Sequence, residues 1–146
     1  DTIVIYKILN DLEFYKKAKL IGVNLNCRVE SVGSMRQIKG VSTHYPERIE
    51  KWISNIGTAK FVFTDSFHGT AFAIIFKKNF NTYIALPRAS QRIKSLLGVC
   101  NLLGRIVDKD GPINTTENCF SIFDWESFEN YRQLSIKYIS SFIARI

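Results

Sequence analysis

The sequence predicts an α/β fold built on a parallel β-sheet with helices on both faces. Strand-like and helix-like patterns alternate about five times along the chain, an order that is typical of parallel sheets with crossover helices. Hydrophobic side chains make up 46% of the 146 residues, which is enough for one substantial core and gives no reason to divide the chain. We therefore expect residues 1–146 to form a single domain.

The first part of the chain predicts a strand, a helix and a second strand. Residues 2–9 are β-branched and apolar, which is typical of a strand. The following helix is expected over about residues 12–20, with Leu12 and Tyr15 facing inward. The pattern beyond it is weaker, and the second strand is placed at residues 28–32.

A loop and a second helix are predicted next. Residues 34–45 are polar and lack a clean period, so we interpret them as a loop at an end of the sheet. Pro46 suits the first turn of the helix, and Gly57 is expected to end it in the left-handed conformation. The apolar residues of this helix recur at helical spacing and are Ile49, Trp52, Ile53 and Ile56. Trp52 is interpreted as a core residue rather than as a platform for a sugar.

The second half of the chain continues the alternation. A strand is predicted at residues 79–86, followed by a helix that begins at Ala89 or Ser90 and ends at Gly98. Residues 102–107 fit a short edge strand or a turn. A long closing helix over residues 124–146 is predicted to have Asp124 as its N-cap. One face of it carries Trp125, Phe128, Tyr131, Ser135, Tyr138, Ile139 and Phe142. Trp125, like Trp52, is interpreted as a core residue.

Composition argues against several classes of protein. The net charge of +7 is spread along the chain without an Arg/Lys stripe or zinc-finger spacing, so we expect no nucleic-acid partner. No apolar run approaches the roughly 18 residues of a transmembrane helix. Cys27, Cys100 and Cys119 are odd in number and widely spaced, which predicts neither a disulfide framework nor a zinc site. The expected location is a reducing cytoplasm, with no bound metal and no transmembrane segment.

The stretch with the strongest functional signal is residues 60–72, KFVFTDSFHGTAF. A short apolar run ends in the polar turn TDS, and the sequence then passes through His68 into an apolar helix. This order predicts a buried strand, a tight turn and a buried helix. Polar groups at the carboxyl end of an interior strand are where open α/β sheets bind ligands.

Each polar residue of this turn has a structural and a functional interpretation. His68 can transfer a proton near neutral pH, or it can be a capping or core histidine. Asp65 or Ser66 is the expected N-cap of the helix, and orienting His68 is the alternative for Asp65. Gly69 allows a ligand or another backbone to come close, and the N–H groups of residues 66–70 suit an anion.

Two parts of the chain carry a resemblance to a known family. The first is TDSFHGT, followed at the expected distance by a helix start that contains Arg and by Leu-Leu-Gly. With the sequence around it, over residues 45–107, this resembles the carboxyl-terminal half of the polysaccharide pyruvyl transferase family. The ending DWESFENYRQLSIKYISSFI is similar to that family's closing helix. The resemblance implies a two-domain, GT-B-like transferase with a cleft between two Rossmann-like halves, of which this chain is the carboxyl-terminal one.

The resemblance also implies a reaction, which is transfer of a pyruvyl group from phosphoenolpyruvate to hydroxyls of a sugar on a cell-surface polysaccharide. His68 matches the family's motif histidine, which implies contact with the donor and a role in proton transfer. The partners implied are phosphoenolpyruvate, a glycan or sugar acceptor, and the amino-terminal domain of the same protein. No cofactor beyond the donor substrate is expected, and the chain is expected to be inactive alone.

The anionic donor requires positive charge. Other branches of the family carry Arg two residues before the motif histidine, where this sequence has Ser66. We therefore assign the cationic role to Arg88 and Arg92, because guanidinium groups suit carboxylate and phosphate. Arg92 matches the family's Arg before the Leu-Leu pair, and an ordinary surface position is the alternative for both arginines. The predicted donor-binding residues are thus Ser66, Gly69, Thr70, Arg88 and Arg92, with Asp65 in support.

Two other functions remain open from the sequence. A GT-B glycosyltransferase that uses a nucleotide sugar would share the fold, although no acidic residue stands out between residues 80 and 103 to hold a ribose. A binding module without catalysis is the second alternative. For the transferase we expect a location in the cytoplasm, either free or peripheral to the inner face of the membrane.

Overall fold

The computed structural model of the chain describes residues 1–8, 11–45, 48–85, 90–115 and 118–143. In these residues six strands form one all-parallel sheet, and five α-helices accompany it. The strands are β1 Thr2–Tyr6, β2 Arg28–Val32, β3 Ser42–His44, β4 Phe61–Thr64, β5 Asn79–Tyr83 and β6 Ile106–Val107. The helices are α1 Leu12–Leu25, α2 Ile49–Thr58, α3 Phe67–Ile75, α4 Gln91–Val99 and α5 Trp125–Ile143. The predicted α/β fold with a Rossmann-like parallel sheet is confirmed.

The order of the strands places a reversal in the middle of the sheet. Read across the sheet, the order is β3-β2-β1-β4-β5-β6, so the chain moves outward from β1 in one direction and returns to continue from β4 in the other. The last pair in register between these two central strands is Tyr6 and Thr64. In open α/β sheets, ligands bind outside the carboxyl ends of the strands at such a reversal. A ligand site is therefore expected at the segments that follow β1 and β4.

Both faces of the sheet are covered, which explains the continuous apolar run in β4. Phe61 and Phe63 pack on one face with Phe14 of α1. Val62 packs on the other face with Ile56 of α2 and with residues of α3 and α4. All four β4 residues are buried, and each fully buried large apolar side chain contributes about 1.5–3 kcal/mol. This burial holds β4, and with it the turn that follows, in a fixed position.

Several boundaries of the first half differ from the prediction. Helix α1 continues to Leu25, and Leu12 at its start is 57% exposed rather than inward. The second strand, Arg28–Val32, is confirmed. The predicted loop at residues 34–45 contains the edge strand β3, whose side chains are exposed or partly buried and therefore show no apolar alternation.

The helix that precedes β4 ends differently from the prediction. Gly57 lies inside α2, which continues to Thr58 and is followed by an extended Ala59. The left-handed cap at Gly57 was therefore a wrong prediction, because the chain leaves this helix directly in extended conformation to enter β4. Pro46, which was placed in its first turn, lies outside the described residues.

The end of the chain also corrects one interpretation. Asp124 accepts a hydrogen bond from the Ser127 N–H at 2.8 Å, so the predicted cap of the last helix is confirmed. None of the described side chains of α5 is buried, and Trp125 is 45% exposed, so Trp125 is not a core residue. Among the helices in the described part of the chain, none is long and apolar enough to cross a membrane.

Candidate functional site

Hydrogen bonds join the carboxyl ends of β1 and β4. The Thr64 hydroxyl donates to the carbonyl oxygen of Tyr6 at 2.6 Å and accepts from the Ser66 N–H at 3.0 Å. Thr64 is fully buried, so these bonds form away from competing water. The turn that follows β4 is therefore held against the end of β1 at the reversal point.

Two buried hydroxyl groups shape the start of α3. Ser66 is the N-cap residue, and its Oγ accepts from the Gly69 N–H at 3.4 Å. The Thr70 hydroxyl donates to the Ser66 carbonyl oxygen and lies 2.9 Å from the Thr82 hydroxyl on β5. Of the two residues predicted as N-cap, Ser66 takes that position. The first N–H groups of a helix have no acceptor within the helix. Since the Oγ of Ser66 accepts only from Gly69, the N–H groups of Phe67 and His68 are the donors of this turn that have no partner within the described chain.

Gly69 is explained by close packing between α3 and β4. A Cβ atom at this position would overlap with the Oγ1 of Thr64, the hydroxyl that links β4 to β1. The group that packs closely against Gly69 is thus the side chain of Thr64. The sequence analysis had suggested a ligand or another backbone at this place.

A substitution at Gly69 tests this packing. We expect Gly69→Ala to destabilise the protein by about 1–3 kcal/mol, because the added methyl group must displace Thr64 from its hydrogen bonds. Gly98→Ala is the matched control, since Gly98 is also helical and a Cβ there meets nothing within 4 Å. That change should be stabilising by about 0.5–1 kcal/mol. Urea unfolding measures both, and equal effects of the two substitutions would contradict the account.

A buried ion pair lies beneath the turn, and the sequence analysis did not identify it. The Lys7 Nζ lies 3.6 Å from the Asp65 Oδ2, and these side chains are 2% and 1% exposed. The other oxygen of Asp65 accepts a hydrogen bond from the Ile8 N–H at 2.6 Å. Asp65 therefore ties the segment after β1 to the turn after β4, and its N-cap role, predicted as the more favoured one, was wrong because Ser66 caps α3.

The surroundings of Lys7 are aromatic. Its ammonium group lies 4.4 Å from the centre of the Phe14 ring, a cation–π distance. Burial lowers the pKa of Lys7, although the negative charges of Asp65 and Asp11 act in the opposite direction. The position of Lys7 directly after an apolar strand is the only sequence signal that could have indicated its burial.

A second, partly buried contact supports the same region. The Tyr83 hydroxyl donates to the Asp11 Oδ2 at 2.6 Å, and Asp11 also caps α1 by accepting from the Glu13 N–H. Burial raises the pKa of Tyr83, and the hydrogen bond to Asp11 adds to the rise. Burial also acts to raise the pKa of Asp11, but its hydrogen bonds from Tyr83 and Glu13 outweigh that effect and lower it. These groups are structural partners beneath the sheet edge.

His68 lies in the first turn of α3 and is exposed, so it is not a core histidine. It lines a cleft of ≈ 360 Å³ together with Tyr6, Gly33, Ile49 and Trp52. Because Ser66 already caps the helix, His68 is also not the capping residue. The imidazole is therefore available to a ligand at the carboxyl edge of the sheet.

Arg92 lies near His68, because both side chains contact the ring of Phe67. Its guanidinium carbon lies 5.3 Å from the centre of the Phe67 ring, and the His68 ring meets that same ring edge-on at 5.7 Å. Arg92 is exposed in the first turn of α4. A cation and an imidazole thus contact one aromatic ring. Arg88, the other predicted cation, lies outside the described residues.

The described residues offer no metal site. They contain no group of three or more His, Cys, Asp or Glu side chains placed to hold a metal ion. Cys27 and Cys100 are free cysteines, and burial is the larger of the two influences that raise the pKa of Cys100 to about 11. Among the described residues at this edge, the groups that can act on a ligand include the His68 imidazole, the Arg92 guanidinium and the N–H groups at the start of α3.

Comparison with known proteins identifies the family. The family described as polysaccharide pyruvyl transferase matches residues 3–83, which include β1, the cleft residues and the whole TDSFHGT turn. The match ends before Arg92 and α5, so the resemblance of those segments rests on the sequence alone. No curated protein matches the chain. Since the matched segment spans more than half of the 146 residues, the chain belongs to the polysaccharide pyruvyl transferase family.

Proposed function

We propose that this chain is the donor-side domain of an enzyme that transfers pyruvate from phosphoenolpyruvate to sugar hydroxyls of a cell-surface polysaccharide. The observation that carries the proposal is the exposed His68, which lies in the family-matched turn at the strand reversal and beside an open cleft. In this proposal an amino-terminal domain supplies the opposite wall in a GT-B-like arrangement. The reaction takes place in the cytoplasm or at the inner face of the membrane.

The chemistry needs one proton-transferring group close to the donor. A sugar hydroxyl adds to C2 of phosphoenolpyruvate, and its proton is balanced by protonation of C3, which becomes a methyl group. A second hydroxyl then displaces phosphate from C2, and its proton leaves with the phosphate, so that the sugar carries a ketal. An imidazole exchanges protons near neutral pH, and we assign these transfers to His68. The sequence of steps requires no cofactor.

The donor's negative charges fit the groups on the Phe67 side of His68. Arg92 presents a guanidinium there, and the free N–H groups of Phe67 and His68 face outward from a helix start, where anions are favoured. Arg88 remains a proposed second cation. Ser66 and Thr70 are buried and hydrogen-bonded within the protein, so we now assign them to shaping the turn rather than to contact with the donor.

Removal of Arg92 tests the donor site. In the full-length protein, Arg92→Ala should weaken phosphoenolpyruvate binding by roughly 10- to 100-fold, the loss of one or two charge-assisted hydrogen bonds. Isothermal titration calorimetry with phosphoenolpyruvate measures this effect. Lys94→Ala is the matched control, because Lys94 is an exposed cation on the same helix. An equal loss in both variants would show a general charge effect and contradict a donor site at Arg92.

A further inference from the structure

The cleft beside His68 differs in chemistry from the Arg92 side. Its lining consists of Tyr6, Gly33, Ile49, Trp52 and His68, and it includes no Lys, Arg, Asp or Glu among the described residues. Among the described lining residues, a phosphate or carboxylate would find no Lys or Arg partner in exchange for the water it loses, which is unfavourable. The cleft is therefore suited to a neutral ligand, while the anionic donor is better placed at Arg92.

The wall of the cleft is largely aromatic. The Tyr6 and Trp52 rings meet edge-on at 5.0 Å, and Trp52 meets Phe72 in the same way at 5.2 Å. Trp52 is only partly buried, and Ile49 on the same helix is 72% exposed. The Nε1 of Trp52 is buried without a hydrogen-bond partner among the described residues. The wall thus presents an apolar surface to the cleft, and the indole N–H of Trp52 lies beneath that surface.

A pyranose ring matches this surface. Its faces carry C–H groups that contact aromatic and aliphatic side chains, and its rim carries hydroxyls that hydrogen-bond to a polar group such as the exposed His68 imidazole. The volume of ≈ 360 Å³ lies within the range of roughly 300–1,000 Å³ that small-molecule pockets occupy. The family description supplies the ligand class, since the family acts on polysaccharides.

We propose that the cleft formed by Tyr6, Gly33, Ile49 and Trp52 is the subsite for the acceptor saccharide. This rests on the proposed function and adds to it the position of the acceptor. His68 lies at the boundary between this cleft and the Phe67–Arg92 side. A sugar hydroxyl in the cleft and a donor at Arg92 therefore meet at the imidazole, where the proton is transferred. Trp52, interpreted from the sequence as core, contributes one wall of the subsite.

A substitution at Ile49 tests the subsite without disturbing the packing of the core, because the Ile49 side chain is largely exposed. In the full-length protein, Ile49→Ala should raise the KM for the acceptor by roughly 5- to 20-fold and leave the KM for phosphoenolpyruvate unchanged. Ile75→Ala is the matched control, because Ile75 is 61% exposed at the far end of α3. A rise in the donor KM, or no change in the acceptor KM, would overturn the assignment.

Direct binding separates this subsite from the proposed function. In full-length protein labelled with nitrogen-15 at tryptophan, methyl hexopyranosides should shift the Trp52 indole resonance, which Trp52→Phe assigns, and Ile49→Ala should weaken that shift. If phosphoenolpyruvate binds but the pyranosides leave Trp52 unmoved, the subsite is wrong while the proposed function stands. If phosphoenolpyruvate itself shifts Trp52 and pyranosides do not, the cleft belongs to the donor. Failure of both ligands to bind would overturn the subsite and the proposed function together.

Discussion

Replacement of His68 by Ala in the full-length protein is expected to lower the kcat for pyruvyl transfer by about 10²–10⁴-fold, the usual contribution of general acid–base catalysis. The free energy of unfolding should change by no more than about 0.5 kcal/mol, because the side chain is exposed and the cap of α3 is Ser66. Single-turnover kinetics and urea unfolding of the same preparation provide the two values.

The chain contains one other histidine, which serves as a control. His44 lies on the edge strand β3, and its Nε2 is 3.5 Å from the Glu30 carboxylate. His44→Ala should retain wild-type turnover, since His44 is not among the residues that line the cleft with His68. Near-normal turnover in His68→Ala, or an equal loss in both variants, would contradict the assignment of proton transfer to His68.

The largest effect on stability is expected at Lys7. Lys7→Met should destabilise the protein by about 3–5 kcal/mol, because it removes the ammonium group that is paired with the buried Asp65 carboxylate. Adding Asp65→Asn to that variant should recover a substantial part of the loss, since a neutral amide is less costly to bury than a carboxylate that has lost its ammonium partner. Urea unfolding of the wild type, both single variants and the double variant forms the complete cycle. Additive losses would show that the two side chains do not interact.

Lys7 also predicts a dependence of stability on pH. Because burial lowers its pKa from 10.5, the unfolded chain binds this proton more readily than the folded protein does. Between the lowered value and 10.5, folding therefore releases a proton, and the contribution of Lys7 to stability rises with pH. The wild type should gain stability relative to Lys7→Met as the pH approaches about 10. If the stability of the wild type relative to Lys7→Met falls as the pH rises, the ion pair raises the pKa of Lys7 and the account is contradicted.

The central motif was predictable because its signals are local. The apolar run of β4 is followed at once by the capping Ser66 and an apolar helix, so strand, turn and helix all follow from neighbouring residues. Strand β2 was also placed correctly, although its apolar alternation is weaker. The edge strand β3 was missed because three exposed or partly buried residues carry no pattern of apolar alternation.

Contacts between residues that are far apart in the chain could not be predicted from the sequence. Lys7 and Asp65 are far apart in the chain, and a single lysine after a strand usually indicates the protein surface. Trp52 was read as core from its helical spacing, whereas its place beside His68 depends on how α2 and α3 pack. The sequence predicted which residues could carry chemistry at the turn, and the fold shows which of them are structural partners.

The most direct test of the central claim follows the pyruvyl group itself. The full-length protein is incubated with phosphoenolpyruvate labelled in its carbon skeleton and with the cell's own surface glycan, and both glycan-bound label and free phosphate are measured. We predict equimolar incorporation of label and release of phosphate, both slowed about 10²–10⁴-fold in His68→Ala. Absence of label in the glycan, with transfer of sugar from a nucleotide sugar instead, would contradict the account and favour a glycosyltransferase.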